Sequence, residues 1–185
     1  YLLIIESKNS LYMKIEDIIN QINFRSNPKS ALYFELFIQN LLKLHLEKQG
    51  KQFISDYVID GNRLDGYSTN GIGNYEGPVA FEIKYTHRYN PMIMRYTVRQ
   101  LTGILDSEKI KHMILIYPAD SDKMRYFLRN ENPNLILWGI TEINGLIDAN
   151  KEEAEYIANS LFKLEIKKEL KRRDNDWKIS REELL

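Results

Sequence analysis

The chain has 185 residues, of which 43% are hydrophobic and 28% charged, so it has enough apolar residues for one globular domain with a real core. Lys plus Arg equal Asp plus Glu at 26 each, so the chain as a whole lacks the basic excess of many nucleic-acid binders. Cysteine is absent, which excludes disulfides, thiolate zinc sites and cysteine nucleophiles and fits a reducing, cytoplasmic compartment.

Two helices open the predicted fold. The first covers residues 11–24 and carries isoleucines at helical spacing on one face. The stretch "RSNPKS" interrupts it, because it contains residues that favour turns and caps. We expect Ser26 or Asn27 to cap a second helix over about 29–49, with Pro28 at its first position.

Strands and further helices follow. The predicted strands lie at 52–59, 63–68, 79–86, 112–119 and 134–143. The last two are near-continuous apolar runs, which are typical of strands buried on both faces. The later helices are predicted at about 92–106, 121–131 and 148–173. This order predicts an α/β domain in which helices flank a mixed β-sheet.

The predicted domain boundaries follow from the same order. Residues 1–27 form an N-terminal helical extension, and residues 28–173 form the α/β domain. Residues 174–185 belong to the polar tail "RRDNDWKISREELL", which we expect to be a linker or the start of a further domain.

The stretch "VAFEIKY", residues 79–85, places a carboxylate and an ammonium on the same face of a strand. Successive side chains of a strand point to opposite faces, so Glu82 and Lys84 share one. One interpretation is a solvated face with a weak ion pair. The other is half of a metal site, and the stretch alone does not choose between them.

Asp65 precedes this strand in "RLDGYS". The segment between the two strands is rich in turn residues, which predicts that they are neighbours in a hairpin and that Asp65 lies opposite Glu82. The alternative is that Asp65-Gly66 is itself a turn, as this dipeptide often is.

Glu35 lies on the apolar stripe of the second helix. Burying a carboxylate costs several kcal/mol unless it is paired or bound to metal, which favours a functional role. The alternative is that the helix is apolar on nearly all sides and Glu35 reaches solvent at its edge.

A basic window separates Ile83 from Leu105, with no acidic residue between them. Its cations interleave with tyrosines, a pattern typical of a surface that binds a phosphate backbone, although a chance gap in acidic residues gives the same pattern. The cations are Lys84, His87, Arg88, Arg95 and Arg99. The three histidines have no zinc-motif spacing, so any metal would be held by oxygen ligands, which favours Mg²⁺, Mn²⁺ or Ca²⁺. We interpret His45 and His112 as structural, and His87 as either a phosphate contact or a surface residue near a turn.

The ordered set Glu35, Asp65 and Glu82-x-Lys84, followed by Gln100 in the next helix, resembles a family pattern. The sequence is similar to the restriction-endonuclease-like, PD-(D/E)xK, nucleases, and nearest to their Mrr-like branch. In that family a helix carries the Glu, a strand the Asp, the next strand the (D/E)-x-K, and a following helix often a Gln. The resemblance covers roughly residues 28–145, and the residue before the Asp is leucine where the motif has proline.

The resemblance implies a Mg²⁺-dependent endonuclease that hydrolyses phosphodiester bonds in DNA, with Mn²⁺ able to substitute. In that interpretation Asp65, Glu82 and the Ile83 carbonyl bind the metal, while Glu35 completes a second metal position or holds a water. Lys84 orients the attacking water or stabilises the transition state.

Gln100 would then orient Lys84 or the water, and Arg88, Arg95 and Arg99 would grip the DNA backbone. The resemblance implies the nuclease domain of a restriction or phage-defence protein that binds DNA and no membrane, as a homodimer or part of a larger multidomain chain. The alternative function is a catalytically weak nuclease-fold module that binds DNA or a protein partner.

Overall fold

The computed structural model describes residues 14–26, 29–85, 90–105, 109–119, 132–161 and 163. Its elements in chain order are α1 (Ile15–Ser26), α2 (Ser30–Lys48), β1 (Ile54–Ile59), β2 (Asn62–Ser68), β3 (Val79–Ile83), α3 (Pro91–Leu105), β4 (His112–Ile116), β5 (Leu135–Trp138) and α4 (Ile140–Asp148). Residues 151–161 are also helical. None of the helices in this part of the chain is long and apolar enough to cross a membrane.

The five strands form one mixed sheet in the order β1-β2-β3-β4-β5. The first three strands pair antiparallel, and β3, β4 and β5 pair parallel. The prediction of an α/β domain with a mixed sheet flanked by helices is therefore confirmed, and the order is consistent with a restriction-endonuclease-like core.

The hairpin between β1 and β2 turns at Asp60-Gly61, where both residues have positive φ, at 48° and 79°. Two central residues with positive φ make the tight turn that best matches the twist of paired strands. Asp65-Gly66 lies inside β2, so the alternative that this dipeptide is a turn is wrong.

Helices cover both faces of the sheet. On one face, α1, α2 and α4 pack over apolar side chains such as Phe81 and Ile114. On the other, α3 packs over Ala80, Met113 and Leu115. Strand β3 is buried along its whole length, and its apolar side chains lie in one core or the other.

The N-terminal helix packs on the domain rather than apart from it. Ile15 and Ile18 are fully buried in the core that α2 and α4 share. The Ile15 N–H donates to Asn144 Oδ1 at 2.8 Å, which ties the start of α1 to α4. The boundary predicted between residues 27 and 28 stays a prediction.

The cap prediction for α2 is wrong where the structure tests it. Ser26 is the last residue of α1, and the residue before α2 is Lys29, which makes no side-chain cap hydrogen bond. A cap is worth only about 1 kcal/mol, so packing of the neighbouring helix readily outweighs it. Asn27 and Pro28 lie outside the described residues.

The strand predicted over 134–143 is also too long. Strand β5 ends at Trp138, and α4 begins at Ile140. The Glu142 carboxylate accepts the Gly139 N–H at 2.8 Å, which satisfies a donor at the start of the helix. The predicted helix over 121–131 and residues 164–185 lie outside the described part of the chain.

Candidate active site

Asp65 is fixed at the centre of the sheet. The pairing of Gly66 with Phe81, extended by one residue, places Asp65 opposite Glu82. Asp65 Oδ2 accepts the Ile83 N–H at 2.6 Å, and the Asp65 carbonyl accepts Gln39 Nε2 at 2.9 Å. The carboxylate is therefore held by β3 on one side, while α2 holds its backbone.

Close packing beside Asp65 requires a glycine. A Cβ added at Gly66 would lie 2.5 Å from the Phe53 ring, a distance that no real contact allows. The Phe53 and Phe81 rings in turn lie 5.9 Å apart. A side chain at Gly66 would therefore require the Phe53 ring or the β2 backbone next to Asp65 to move.

Glu82 and Lys84 meet at the end of β3, as the alternation of the strand predicts. The side chain of Glu82 is only 8% exposed, and its Oε1 forms an ion pair with Lys84 Nζ. Lys84 is 38% exposed, and its backbone N–H donates to the Ile116 carbonyl at 2.9 Å. Because Glu82 is buried, a solvated strand face does not explain this pair.

The two carboxylates resist ionisation. Burial raises the pKa of Glu82, and the negative charge of Asp65 raises it further. Burial also raises the pKa of Asp65, against the Ile83 N–H and the charge of Lys84. For Lys84, burial acts to lower the pKa, but the hydrogen bond and charge of Glu82 outweigh it and raise the pKa.

Glu35 belongs to the same charge cluster. Burial raises the pKa of this half-buried carboxyl, and Asp65 raises it next, while Lys84 opposes both. Gln39, one helical turn further along α2, makes the hydrogen bond to Asp65. Helix α2 thus places Glu35 close enough to Asp65 and Lys84 for their charges to shift its pKa.

The other predicted residues are less closely tied to this cluster. Gln100, Arg95 and Arg99 are exposed on α3, and their roles stay predictions. Arg88 and His87 lie outside the described residues.

Two histidines make contacts that suit the structural interpretation. The ring nitrogens of His45 lie 2.8 Å from Gln49 Nε2 and 2.9 Å from Asn150 Nδ2. His112 packs edge-on to the Tyr75 ring, with the ring centroids 5.6 Å apart.

Three residues near the cluster were missed by sequence reasoning. Gln39 is a buried polar residue within an apolar helix face, which is a readable signal. Asp56 and Arg63 form an ion pair across β1 and β2, and both influence the pKa of Glu35 and Asp65. Their pairing depends on the hairpin register, which no local pattern reveals.

The donor set suits a hard divalent cation. Mg²⁺ is commonly bound by one or two protein carboxylates, with waters and substrate phosphates as the remaining ligands. Asp65 and Glu82 supply two such carboxylates, and their mutual repulsion is what a cation between them would relieve. In the described part of the chain, no group of three or more histidine, cysteine or acidic side chains could hold a metal ion, so Glu35 as a further ligand stays a prediction.

The sequence matches no protein-family model and no curated protein. A solved structure that resembles the fold is the DNA modification-dependent restriction endonuclease AspBHI, at 16% identity and a TM-score of 0.46. The match covers 83% of this chain and 40% of that enzyme. The likeness assigns no activity. The Mrr-like branch stays a prediction, and the case for a function rests on the geometry of Asp65, Glu82 and Lys84.

Proposed function

We propose that this domain is a divalent-metal-dependent endonuclease that hydrolyses phosphodiester bonds in DNA. The observation that carries the proposal is the joint placement of Asp65, Glu82 and Lys84: a half-buried carboxylate on β2 that accepts the Ile83 N–H, a buried carboxylate on β3, and an ammonium paired with it. Charges are buried at such a cost only where pairing or ligand binding offsets it.

Each residue has a distinct task in this chemistry. Asp65 and Glu82, with the Ile83 carbonyl, would hold Mg²⁺, which when bound supplies charge neutralisation at the phosphate and an acidified water. The Ile83 N–H, 2.6 Å from Asp65 Oδ2, fixes that carboxylate and leaves its other oxygen for the cation.

Lys84 stands between the buried Glu82 carboxylate and solvent. Its side chain is 38% exposed, whereas that of its partner Glu82 is 8% exposed, so the ammonium is the member of the pair that a phosphate reaches first. An ammonium so placed orients a water for attack and stabilises negative charge that develops on the phosphate oxygens. Glu35, half-buried beside them, would hold a second cation or a water.

DNA binding is part of the same proposal. Arg95 and Arg99 are exposed on α3, and the chain between Ile83 and Leu105 contains no acidic residue. Arginines in such a segment contact backbone phosphates and set the position of the duplex. We extend the proposal to a role in restriction or phage defence, with a homodimer or a larger multidomain chain as the active assembly.

Cleavage of supercoiled plasmid tests the proposal. Nicked and linear products are measured with Mg²⁺ or Mn²⁺, with EDTA as the metal-free control, for the wild type, Asp65→Asn and Lys84→Ala. Asp60→Asn is a matched control, because Asp60 is an exposed aspartate at the hairpin turn.

We expect metal-dependent cutting that both site variants lose and Asp60→Asn keeps. Cutting that survives Asp65→Asn and Lys84→Ala would contradict the assignment. Absence of cutting by the wild type, together with DNA binding, would favour the alternative of a nuclease-fold binding module.

A further inference from the structure

An arginine–aspartate pair crosses the hairpin next to the candidate active site. Arg63 Nε and Nη2 both donate to Asp56 Oδ1, at 3.1 and 2.6 Å. The Arg63 side chain is 70% exposed and that of Asp56 49%. Asp56 has a φ of 54°, a backbone conformation that costs energy in an aspartate, so the hairpin holds this carboxylate in an unusual position.

The hairpin register directs this pair toward the site carboxylates. Ser55 pairs with Gly66 and Tyr57 with Leu64, so Asp56 falls between these pairs, opposite Asp65. Arg63 precedes Asp65 by two residues in β2, and its charge acts on the carboxyl groups of both Asp65 and Glu35. Burial raises the pKa of Asp65, and Arg63 is one of the positive charges that oppose that rise.

We propose that Arg63, held by Asp56, contacts a backbone phosphate of the DNA beside the scissile bond. The hydrogen bonds to Asp56 use Nε and one donor of Nη2, and they leave both donors of Nη1 for another acceptor. A planar guanidinium with an exposed edge is well suited to phosphate oxygens. This inference rests on the proposed function and adds a substrate-binding residue on the β1–β2 side of the site.

A second exposed ion pair, between the hairpin turn and the segment before β4, supplies the matched control. Lys109 Nζ pairs with Asp60 at the hairpin turn, and their side chains are 57% and 44% exposed. Exposed pairs of this kind contribute little to stability, so loss of either cation is expected to leave the fold intact. The two pairs differ in that Arg63 lies in the strand that carries Asp65, whereas Lys109 lies in the segment before β4.

The experiment compares Arg63→Gln, Arg63→Lys and Lys109→Gln with the wild type. Binding of a fluorescent DNA duplex is measured by anisotropy across a salt series, with Ca²⁺ replacing Mg²⁺. Plasmid cleavage with Mg²⁺ and calorimetric binding of the metal alone are measured in parallel, and thermal unfolding checks that each variant is folded.

For Arg63→Gln we expect DNA affinity to fall about 10-fold, and the salt slope to fall by about one counterion. Metal binding without DNA is expected to be no weaker than in the wild type, because the change removes a positive charge near the metal ligands. Arg63→Lys should keep most of the salt slope but lose part of the affinity, because an ammonium lacks the planar fork. Lys109→Gln should match the wild type.

Two results would overturn the inference, and they differ. If the wild type cuts DNA while Arg63→Gln and Lys109→Gln share its affinity and salt slope, Arg63 makes no phosphate contact and the proposed function stands. If the wild type neither cuts nor binds DNA, the proposed function fails and this inference fails with it.

Discussion

Replacing Asp65 by asparagine should stabilise the metal-free protein while it abolishes cleavage. The carboxylate is held between β2 and β3, where burial raises its pKa and the charge of Asp56 adds to the rise. Asparagine has nearly the same shape, and its carbonyl oxygen can still accept the Ile83 N–H that Asp65 Oδ2 accepts. The change therefore removes a buried charge and leaves the packing intact.

The magnitude follows from the position of Asp65 opposite Glu82. Facing residues of an antiparallel pair have Cβ atoms about 5 Å apart, and two unit charges at that distance repel by about 3 kcal/mol at an effective dielectric constant of about 20. Lys84 offsets part of this repulsion, and the hydrogen bond from Ile83 weakens by about 1 kcal/mol when its acceptor becomes neutral. We therefore expect Asp65→Asn to raise the free energy of unfolding by about 1 kcal/mol.

The pH dependence has a defined sign. A carboxyl whose pKa is raised on folding binds its proton more tightly in the native state, so its contribution to stability is complete below its ordinary pKa and is lost as pH rises through the folded value. The ordinary values are 3.8 for Asp65 and 4.5 for Glu82. Stability of the metal-free wild type should thus fall as pH rises above this range, and the fall should be smaller in Asp65→Asn.

Denaturant and thermal unfolding in EDTA measure the gain in stability of Asp65→Asn. A titration with Mg²⁺ then measures how far the bound ion stabilises each protein. A gain of about 1 kcal/mol corresponds to a rise in Tm of about 2–4 °C for a domain of this size. Added Mg²⁺ should stabilise the wild type and leave Asp65→Asn unchanged, because only the wild type binds the ion. A lower free energy of unfolding for Asp65→Asn in EDTA would refute the reasoning, since it would make Asp65 a structural acceptor.

Three further predictions concern the supports of the site. Lys84→Met should reduce the plasmid cleavage rate by about 100-fold or more while a gel-shift assay shows DNA binding retained, and equal loss of both would contradict its role at the reacting phosphate. Gln39→Leu should cost about 1 kcal/mol in urea unfolding and slow cleavage, whereas Gln49→Leu on the exposed helix end should do neither. Gly66→Ala should destabilise the fold by about 1–3 kcal/mol in the same assay, because its Cβ has no space. Gly145→Ala, with open space around it in α4, should stabilise by up to about 1 kcal/mol.

The sequence predicts the elements better than their ends. The run "NLILWGITEI" is mostly apolar, so its composition suits a strand and a buried helix equally well. The change from β5 to α4 depends on Gly139 and on Glu142, which caps the new helix from its first turn. Because most residues of the run are apolar, its composition predicts one long strand and gives little weight to the capping residues that start the helix.

Two Asp-Gly dipeptides show why local turn signals mislead. Asp60-Gly61 forms the hairpin turn, while Asp65-Gly66 lies in the middle of β2. The two are chemically identical, and they differ only in what packs around them, since Phe53 leaves no space for a side chain at Gly66. The same glycine that favours a turn in isolation serves here as a point of close approach.

The sequence predicts which charged residues of the site share a strand, but it does not predict the register that pairs Asp56 with Arg63. Glu82 and Lys84 are two residues apart in one strand, so their meeting follows from strand geometry alone. The pair of Asp56 and Arg63 spans two strands, and its position beside Asp65 requires the observed pairing of β1 with β2. Partners within one element are predictable, and so is the neighbouring placement of the strands that carry Asp65 and Glu82, whereas the pair of Asp56 and Arg63 needs the register of the fold.

The carboxylates that break the local pattern of their elements are the ones that come together. Glu35 interrupts an apolar helix face, Asp65 lies within a strand that packs closely on the core, and Glu82 lies in a strand that is buried along its length. Ionised side chains at such positions cost stability, and random surface charges would have no reason to converge. Burial raises the pKa of Glu35 in α2 and of Glu82 in β3, and the charge of Asp65 in β2 raises both further, which places the cost at one point of the fold. The free-energy cost of these ionised carboxylates is therefore concentrated beside Lys84, as expected for a site that binds a cation and a phosphate.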